Sequence, residues 1–188
     1  MAAHDPYLDL PLDAGTQDLY AVRTAIRQAL RAQLPRFAGT FLDVGCGVQP
    51  YRPLLTAPPS KITRYVGMDL AANAVKTYRA VEPDVQWDGR TIPLADASMD
   101  SAMATEVLEH CPDPVGVLRE VHRVLLPGAA FFLTVPFLWP LHDVPYDEYR
   151  YTPFALERML KEAGFREPMV RPLGGWDASL AQMLGLWA

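Results

Sequence analysis

The chain has 188 residues, enough for one domain with a substantial buried core. Its 17 basic and 22 acidic residues give a formal net charge of −5, which disfavours nucleic-acid binding because that function needs a clustered basic surface. No apolar run is long enough for a transmembrane helix, and the N-terminus lacks the basic-then-apolar order of a secretion signal. The two cysteines offer neither a disulfide framework nor enough ligands for a zinc site. We therefore expect a cytoplasmic protein without a bound metal.

Apolar strands alternate with amphipathic helices along the chain. The predicted helices cover residues 16–34, 73–81, 114–125 and 152–165. The predicted strands cover residues 40–44, 64–70, 100–106 and 129–137, with a weaker one over 168–175. Pro127 and Gly128 are expected to stop the third helix, and the continuous apolar run after them is typical of a strand buried on both faces. This alternation predicts an α/β fold with a doubly wound, mainly parallel sheet and helices on both faces.

The stretch FLDVGCG, residues 41–47, is the first candidate for a ligand site. It places Asp43 at the end of a buried strand, directly before Gly45 and Gly47, which permit a sharp turn and a close approach of a ligand to the backbone. The dinucleotide pattern G-x-G-x-x-G fails here because Pro50 stands at its third glycine position. A carboxylate at this place instead favours a ligand with a positively charged amino group.

The second strand ends in Asp69, 22 residues after Gly47, and an acid at this place can accept two hydrogen bonds from a ribose diol. An acid for an amino group, two glycines for close approach and an acid for a ribose together fit S-adenosylmethionine better than NAD. Asp69 has a structural alternative, since it could also cap the helix predicted after it.

From about residue 38 to 165, the sequence resembles the class I S-adenosylmethionine-dependent methyltransferases, and within them the type 11-like, small-molecule branch. DVGCG is similar to the family's first motif, and VGMDL is similar to its ribose-binding acidic motif. WDGRTIPLADASMD resembles the segment that supplies an acid near the adenine. ATEVLEHCPDP and LREVHRVLLPGAAFFLTVP resemble the fourth strand and the passage from a helix into the fifth strand. The resemblance implies a Rossmann-like fold, S-adenosylmethionine as cofactor, and methyl transfer to an O or N atom of a small molecule.

The resemblance also implies site residues on the cofactor side. The predicted cofactor-binding residues are Asp43, Gly45, Cys46, Gly47, Asp69, Leu70, Asp88, Gly89 and Glu106. Trp87 or Ile92 would provide apolar cover for the adenine. Two residues have plainer alternatives: Asp88 could be a solvated loop acid, and Cys46 is expected to fill the turn rather than act as a nucleophile.

The segment PFLWPLHDVPYDEYRYTP, residues 136–153, is expected to form the acceptor side of the site. Prolines would stiffen it, aromatic side chains would wall a pocket, and charged groups could orient a polar substrate. His142 is predicted as the general base or substrate orienter, and His110 as a second catalytic candidate or a cap of the strand exit. The predicted substrate-binding residues are Trp139, Tyr146 and Arg150. The alternative is that His142, Asp147 and Arg150 only tie the loop down.

Residues 1–36 are predicted to form an N-terminal helical lid segment in front of a cofactor-binding domain over residues 37–188. The resemblance suggests that Tyr20 or Arg23 reaches the carboxylate of the cofactor. The alternative is a helix that simply packs on the sheet.

The sheet of the resembling family normally ends in a hairpin of sixth and seventh strands. Here the weak strand over 168–175 is followed by an apolar segment with helical spacing, so we expect the terminal strand to be missing. Either the sequence is truncated, or the fold leaves an open edge that a partner must cover. The apolar segment would fit a homodimer contact or a membrane-surface contact.

Two other functions remain open from the sequence. A nicotinamide-dependent oxidoreductase would share the fold, and a non-catalytic nucleotide-binding module would keep the pocket without the acceptor chemistry. DNA methylation is disfavoured by the negative charge and by EVLEH standing after the fourth strand, where an Asn/Asp-Pro-Pro-aromatic motif would be expected.

Overall fold

The computed structural model describes residues 5, 7–13, 15–70 and 81–187. The helices are α1 (Gln17–Gln33), α2 (Arg52–Thr56), α3 (Pro114–Val124), α4 (Pro153–Glu162) and α5 (Trp176–Trp187), with 3-10 turns at Leu34–Arg36 and Leu108–His110. The strands are β1 (Ala38–Val44), β2 (Lys61–Leu70), β3 (Val85–Trp87), β4 (Met99–Thr105) and β5 (Leu125–Thr134). The helix predicted over 73–81 lies, apart from residue 81, outside the described residues.

The five strands form one parallel sheet in the order β3-β2-β1-β4-β5. The chain builds outward from β1 through β2 to β3 and then returns to add β4 and β5 on the other side. The strand order therefore reverses between β1 and β4, and in such sheets ligands bind beyond the carboxyl ends of the strands at this point. The predicted doubly wound α/β fold is confirmed.

Side chains of β1 alternate between two cores, one on each face of the sheet. Phe41 packs in the core on the α1 side, together with Ile26 and Leu30 of that helix. Leu42 and Val44 belong to the opposite core, which α3 and α4 complete. Asp43 lies between Leu42 and Val44 and so faces the same side as Phe41, beneath α1. Helices cover both faces of the sheet, and Asp43 therefore meets the glycine turn at the end of β1.

Three of the predicted helices are confirmed as α1, α3 and α4. Thr152 caps α4, because its hydroxyl accepts a hydrogen bond from the Ala155 N–H, and Pro153 occupies the first turn. The predicted stop of α3 is wrong. That helix ends at Val124, and Pro127 and Gly128 lie inside β5.

β5 is an edge strand of the described sheet, which explains why it contains a proline and why it is only partly buried. An edge tolerates a proline, because one row of its backbone groups has no partner strand. Most positions of β5 are only half-buried or exposed, so the prediction of burial on both faces is wrong. Residues 168–175 form no strand and are mostly exposed, with Pro168 and Pro172 removing two backbone donors.

The apolar C-terminal segment forms α5, which packs against α1. Its packed side includes Gln182, whereas the exposed large side chains are Trp176, Leu180, Met183, Leu184 and Trp187. A homodimer contact through this face stays a prediction. Within the described ranges, no helix combines the length and apolar character that a bilayer crossing requires.

Candidate functional site

Asp43 ends β1 with a carboxylate that is 1% exposed. The Tyr65 hydroxyl donates a hydrogen bond to Oδ2, while Oδ1 is buried without a hydrogen-bond partner. Burial raises the pKa of Asp43 to about 7, the Tyr65 hydrogen bond opposes this rise, and the Asp69 carboxylate adds to it. The orphan oxygen therefore suits a ligand that carries an ammonium group, which would satisfy its lone pairs and its charge together.

The turn after β1 depends on both glycines, for different reasons. Gly45 (φ +67°) leaves no room for a side chain, because a Cβ there would lie 2.6 Å from Cγ2 of Val107. Gly47 (φ +50°) has no heavy atom within 4 Å of a Cβ position, so its side of the turn is open to a ligand. Between them, Cys46 is buried, and burial raises the pKa of its thiol to about 12. A buried thiol of raised pKa is a poor nucleophile, which favours the role of Cys46 as a filler of the turn.

Asp69 connects the end of β2 to this glycine turn. Its Oδ2 accepts a hydrogen bond from the Gly47 N–H (2.6 Å), and its Oδ1 accepts one from the Leu70 N–H (2.7 Å). Each carboxylate oxygen has a second lone pair, so the side chain retains the capacity to accept bonds from two ribose hydroxyls. Leu70 lies next to Gly89, where a Cβ would approach its Cδ2 to 3.2 Å.

Asp88 sits in the loop after β3 and is engaged with its own loop. Its Oδ1 accepts hydrogen bonds from the backbone N–H groups of Arg90 (2.8 Å) and Thr91 (2.7 Å). The bond from Thr91 and then that from Arg90 lower the pKa of Asp88. Trp87 lines the ligand cleft beside it, whereas Ile92 is buried in the core and does not line the cleft.

Glu106 directly follows β4, and charged groups from separate parts of the chain act on its carboxylate. Its backbone is left-handed (φ +55°), and its N–H donates to the Thr134 carbonyl oxygen (3.0 Å). Burial raises the pKa of Glu106, and the charges of Arg23, His142 and Arg150 oppose that rise. One helix and one distant loop therefore bring cationic or basic groups to the same carboxylate.

Of the two N-terminal candidates, Arg23 lines the large cleft, and its contact with the cofactor stays a prediction. The Arg23 guanidinium carbon lies 3.9 Å from the centroid of the Tyr7 ring, and the Tyr7 ring meets the Tyr51 ring edge to face at 6.2 Å. Tyr20 instead lines a shallow cleft between α1 and α5. Because α1 also buries Ile26 in the core, it packs on the sheet, and its role as a lid stays a prediction. Tyr7 escaped the sequence analysis, since nothing in its local pattern points to the site.

In the loop over residues 135–152, Asp147 and Arg150 form an ion pair that ties the loop down, as the alternative to a substrate-binding role proposed. Arg150 forms two parallel hydrogen bonds with Asp147, from Nη1 to Oδ1 (2.5 Å) and from Nη2 to Oδ2 (2.7 Å). Its Nη2 also donates to the carbonyl oxygens of Trp139 and Pro140. These bonds hold the pKa of Asp147 well below its usual range. Arg150 thus directs its donors to the loop itself, and its role in binding substrate stays a prediction.

The same loop is attached to the 3-10 turn after β4. The Glu109 carbonyl oxygen accepts from the N–H groups of Glu148 (2.8 Å) and Tyr149 (3.3 Å), and the Tyr151 hydroxyl donates to the Leu108 carbonyl oxygen (2.7 Å). This attachment leaves Trp139 half-buried and Tyr146 exposed at the mouth of the site.

The loop places His142 against His110, with ring centroids 5.0 Å apart. His110 Nδ1 lies 3.1 Å from the Tyr146 carbonyl oxygen, and His142 Nδ1 lies 3.1 Å from Asp147 Oδ2. The two predicted catalytic candidates therefore share one locality. Beside them is Glu109, fully buried, with both carboxylate oxygens lacking a hydrogen-bond partner. Sequence reasoning missed Glu109, although its place next to His110 in EVLEH was an available signal.

Residues 42–133, from β1 to β5, match a family model described as a methyltransferase domain, and solved structures of S-adenosylmethionine-dependent methyltransferases share the fold. Residues 42–133 of this chain are thus a methyltransferase domain, and the sheet has the class I S-adenosylmethionine-dependent methyltransferase fold. The parallel sheet agrees with what the resemblance implied, and the two predicted acids, Asp43 and Asp69, lie near the ends of β1 and β2.

Proteins similar to this chain include two curated relatives and several solved structures. A protein encoded in a Streptomyces fradiae transposon is 31% identical, with 77% of this chain and 49% of that protein aligned. The ubiquinone biosynthesis O-methyltransferase of Xanthomonas oryzae is also 31% identical, over 65% of this chain and 53% of that protein. A methyltransferase from Aquifex aeolicus superposes with a TM-score of 0.57 at 21% identity, covering 83% of this chain and 90% of that one. The chain spans about half the length of the curated relatives it matches.

The cofactor implied by this family is S-adenosylmethionine, and the residues of the methyltransferase fit it. The orphan Oδ1 of Asp43 suits an ammonium group, and Asp69 keeps lone pairs for a ribose. The turn is open on the side of Gly47, where no heavy atom lies within 4 Å of a Cβ position. The family match favours a methyltransferase over the nicotinamide-dependent oxidoreductase.

Proposed function

We propose that this methyltransferase transfers the methyl group of S-adenosylmethionine to an oxygen or nitrogen atom of a small molecule. The observation that carries the proposal is the buried, half-paired carboxylate of Asp43 at the switch point of the sheet, next to an open glycine turn. A buried acid with an orphan oxygen costs stability unless a ligand completes it, so its placement favours a binding role.

On the cofactor side, the residues divide by the group that each would hold. Asp43 would accept the ammonium group, and Asp69 the ribose hydroxyls. Asp88 retains Oδ2 for the adenine edge, and Trp87 lines the cleft beside it. The bound cofactor supplies an electrophilic methyl group on a sulfonium. The protein's contribution is to hold the acceptor atom in line with that methyl group, and such positioning can supply about 7–11 kcal/mol.

On the acceptor side, the loop over residues 135–152 would hold the small molecule. Trp139 and Tyr146 provide apolar surface at its mouth, and His142 and His110 provide nitrogen atoms. An imidazole beside a carboxylate, as His142 is beside Asp147, is suited to accept a proton from a hydroxyl or ammonium acceptor. The Xanthomonas relative is named for O-methylation, and this favours an oxygen acceptor.

The test is a transfer assay with S-adenosylmethionine that carries a trideuterated methyl group. The protein is incubated with separate panels of phenols, catechols, aliphatic alcohols and amines, and mass spectrometry records which panel members gain the labelled methyl. We expect label on at least one oxygen or nitrogen acceptor. His142→Ala should lower turnover while leaving the affinity for S-adenosylhomocysteine unchanged, because His142 lies on the acceptor side. Tight binding of S-adenosylhomocysteine without transfer to any panel would instead indicate a non-catalytic binding module.

A further inference from the structure

Glu109, His110 and His142 bring three potential metal ligands together, with one donor atom from each lying within 4.8 Å of the others. A divalent ion holds nitrogen and oxygen ligands at about 2.0–2.2 Å, so donors on one ion lie about 3 to 4.2 Å apart. His110 Nε2 and Glu109 Oε1, at 3.8 Å, already fall in that range. The donor atom of His142 lies within 4.8 Å of the other two.

The outer contact of His110 orients it as a metal ligand. Its Nδ1 can donate its hydrogen to the Tyr146 carbonyl oxygen at 3.1 Å, which leaves Nε2 as the nitrogen with a free lone pair. Ring nitrogens of metal-bound histidines are held in this way by a carbonyl or carboxylate oxygen on the opposite nitrogen. His142 Nδ1 lies 3.1 Å from Asp147 Oδ2, yet it is buried and forms no hydrogen bond, so it is a second buried group without a partner. Arg150 in turn holds Asp147 in place through two hydrogen bonds.

Glu109 is the independent observation that points to a cation. Its side chain is 0% exposed, yet neither carboxylate oxygen has a hydrogen-bond partner. A fully buried carboxylate is normally paired or bound to a metal, because its desolvation is otherwise uncompensated.

We propose that Glu109, His110 and His142 form a binding site for one divalent transition-metal ion. Two imidazoles and a carboxylate favour zinc, manganese, iron or cobalt over magnesium and calcium, which prefer ligand sets made of oxygen atoms. The three ligands leave coordination positions for water or for a substrate atom. This proposal replaces the expectation from the sequence that no metal is bound.

The site lies three residues beyond Glu106 in the chain. Its further role rests on the proposed function, with His142 then acting as a ligand of the ion and not as the proton acceptor. A hydroxyl group of the acceptor would take an open position on the ion, and binding there would lower the pKa of that hydroxyl. The metal would thus select oxygen acceptors over amines.

The test is metal binding itself, measured on the full chain without any acceptor. Protein dialysed against EDTA is titrated with cobalt(II) chloride, followed by visible absorption, and with zinc and manganese chlorides, followed by calorimetry. We expect one ion per chain. Glu109→Gln and His142→Ala should each weaken it by more than about 100-fold, since loss of an outer partner alone costs 10- to 100-fold. The matched control is His122→Ala, which removes an exposed histidine of α3 and should leave the affinity unchanged.

Failure of the metal site can be distinguished from failure of the proposed function, because metal binding and cofactor binding are measured separately. No binding to the wild-type chain, or equal binding by Glu109→Gln and His142→Ala, overturns the metal site while leaving the binding of S-adenosylhomocysteine untouched. Thermal unfolding provides a second readout should either variant prove unstable: added metal should raise the Tm of the wild type and of His122→Ala, and not that of the other two variants. A Tm increase shared by all four proteins would also overturn the proposal.

Discussion

Replacing Asp43 with asparagine should stabilise the protein in a pH-dependent way. The carboxyl group titrates at 3.8 in the absence of perturbation and at about 7 in the folded protein. Because the folded-state pKa is raised, the stability that the protonated group contributes is fully present below pH 3.8 and is lost as the pH rises to about 7. The complete loss amounts to about 4 kcal/mol. The asparagine of the variant carries no charge at any of these pH values, so the variant avoids this loss.

The pH dependence separates this effect from other consequences of the substitution. The asparagine oxygen can still accept from Tyr65, but its NH₂ group would take the place of the orphan oxygen, at a cost of about 1–3 kcal/mol. That cost is the same at every pH. From about pH 5 to pH 8 the wild type alone incurs an ionisation penalty, so the stability difference between variant and wild type should grow by about 2–3 kcal/mol.

The assay is urea unfolding of both proteins at these two pH values, without cofactor. Tyr65→Phe serves as a second variant: it removes the hydrogen bond that lowers the Asp43 pKa, so it should enlarge the pH dependence of the unfolding free energy. An equal effect of Asp43→Asn at both pH values would show that Asp43 titrates as an ordinary surface acid. The argument from its burial to an ammonium ligand would then be wrong.

Two further predictions concern stability and local geometry. Gly45→Ala should destabilise the fold by about 2–4 kcal/mol, because the new methyl group clashes with Val107 in addition to the strain of a left-handed backbone. Gly47→Ala adds only that strain and should cost about 1–2 kcal/mol. Urea unfolding measures both losses, and equal values would contradict the packing argument. Thr152→Ala should lower the unfolding free energy by about 1 kcal/mol through loss of the N-cap of α4, as measured in the same way, and an unchanged value would show that the cap contributes nothing.

The sequence predicted well those elements whose start and end are specified by a few neighbouring residues. The apolar run into Asp43, followed by Gly45 and Gly47, contains both the strand and the turn that ends it. The same is true of α4, where Thr152, Pro153 and Gly164 mark the two ends. In these segments local propensity and tertiary packing agree, so the pattern suffices.

Other elements depend on packing that no local pattern records. β3 has only three residues and exists because it pairs with the end of β2, so its sequence carries no periodic signal. Pro127 and Gly128 look like a helix stop, yet β4 draws the chain into a strand already at Leu125, and an edge strand accepts the proline. Residues 168–175 fail as a strand, although their apolar residues favoured one.

The candidate site also contains residues that local sequence identifies and contacts that only tertiary packing creates. Asp43 and Asp69 could be found because each ends a recognisable strand. The meeting of Glu109 with His142 could not, since it depends on a long loop whose backbone N–H groups bind the carbonyl oxygen of Glu109. His142 was identifiable as the histidine of that loop, but its partners were not.

The most direct test of the account is calorimetric titration with S-adenosylhomocysteine, using the wild type, Asp69→Ala and Asp69→Asn, with NADH as a parallel ligand. We predict that S-adenosylhomocysteine binds the wild type and NADH does not. Asp69→Ala should lose at least about 100-fold in affinity, because two charge-assisted bonds of about 1.5–3 kcal/mol each disappear. Asp69→Asn keeps an acceptor for the Gly47 N–H but loses the one for the Leu70 N–H, so it should disturb the turn less than Asp69→Ala and still bind more weakly than the wild type. Near-normal affinity in Asp69→Ala, or binding of NADH in place of S-adenosylhomocysteine, would contradict the account.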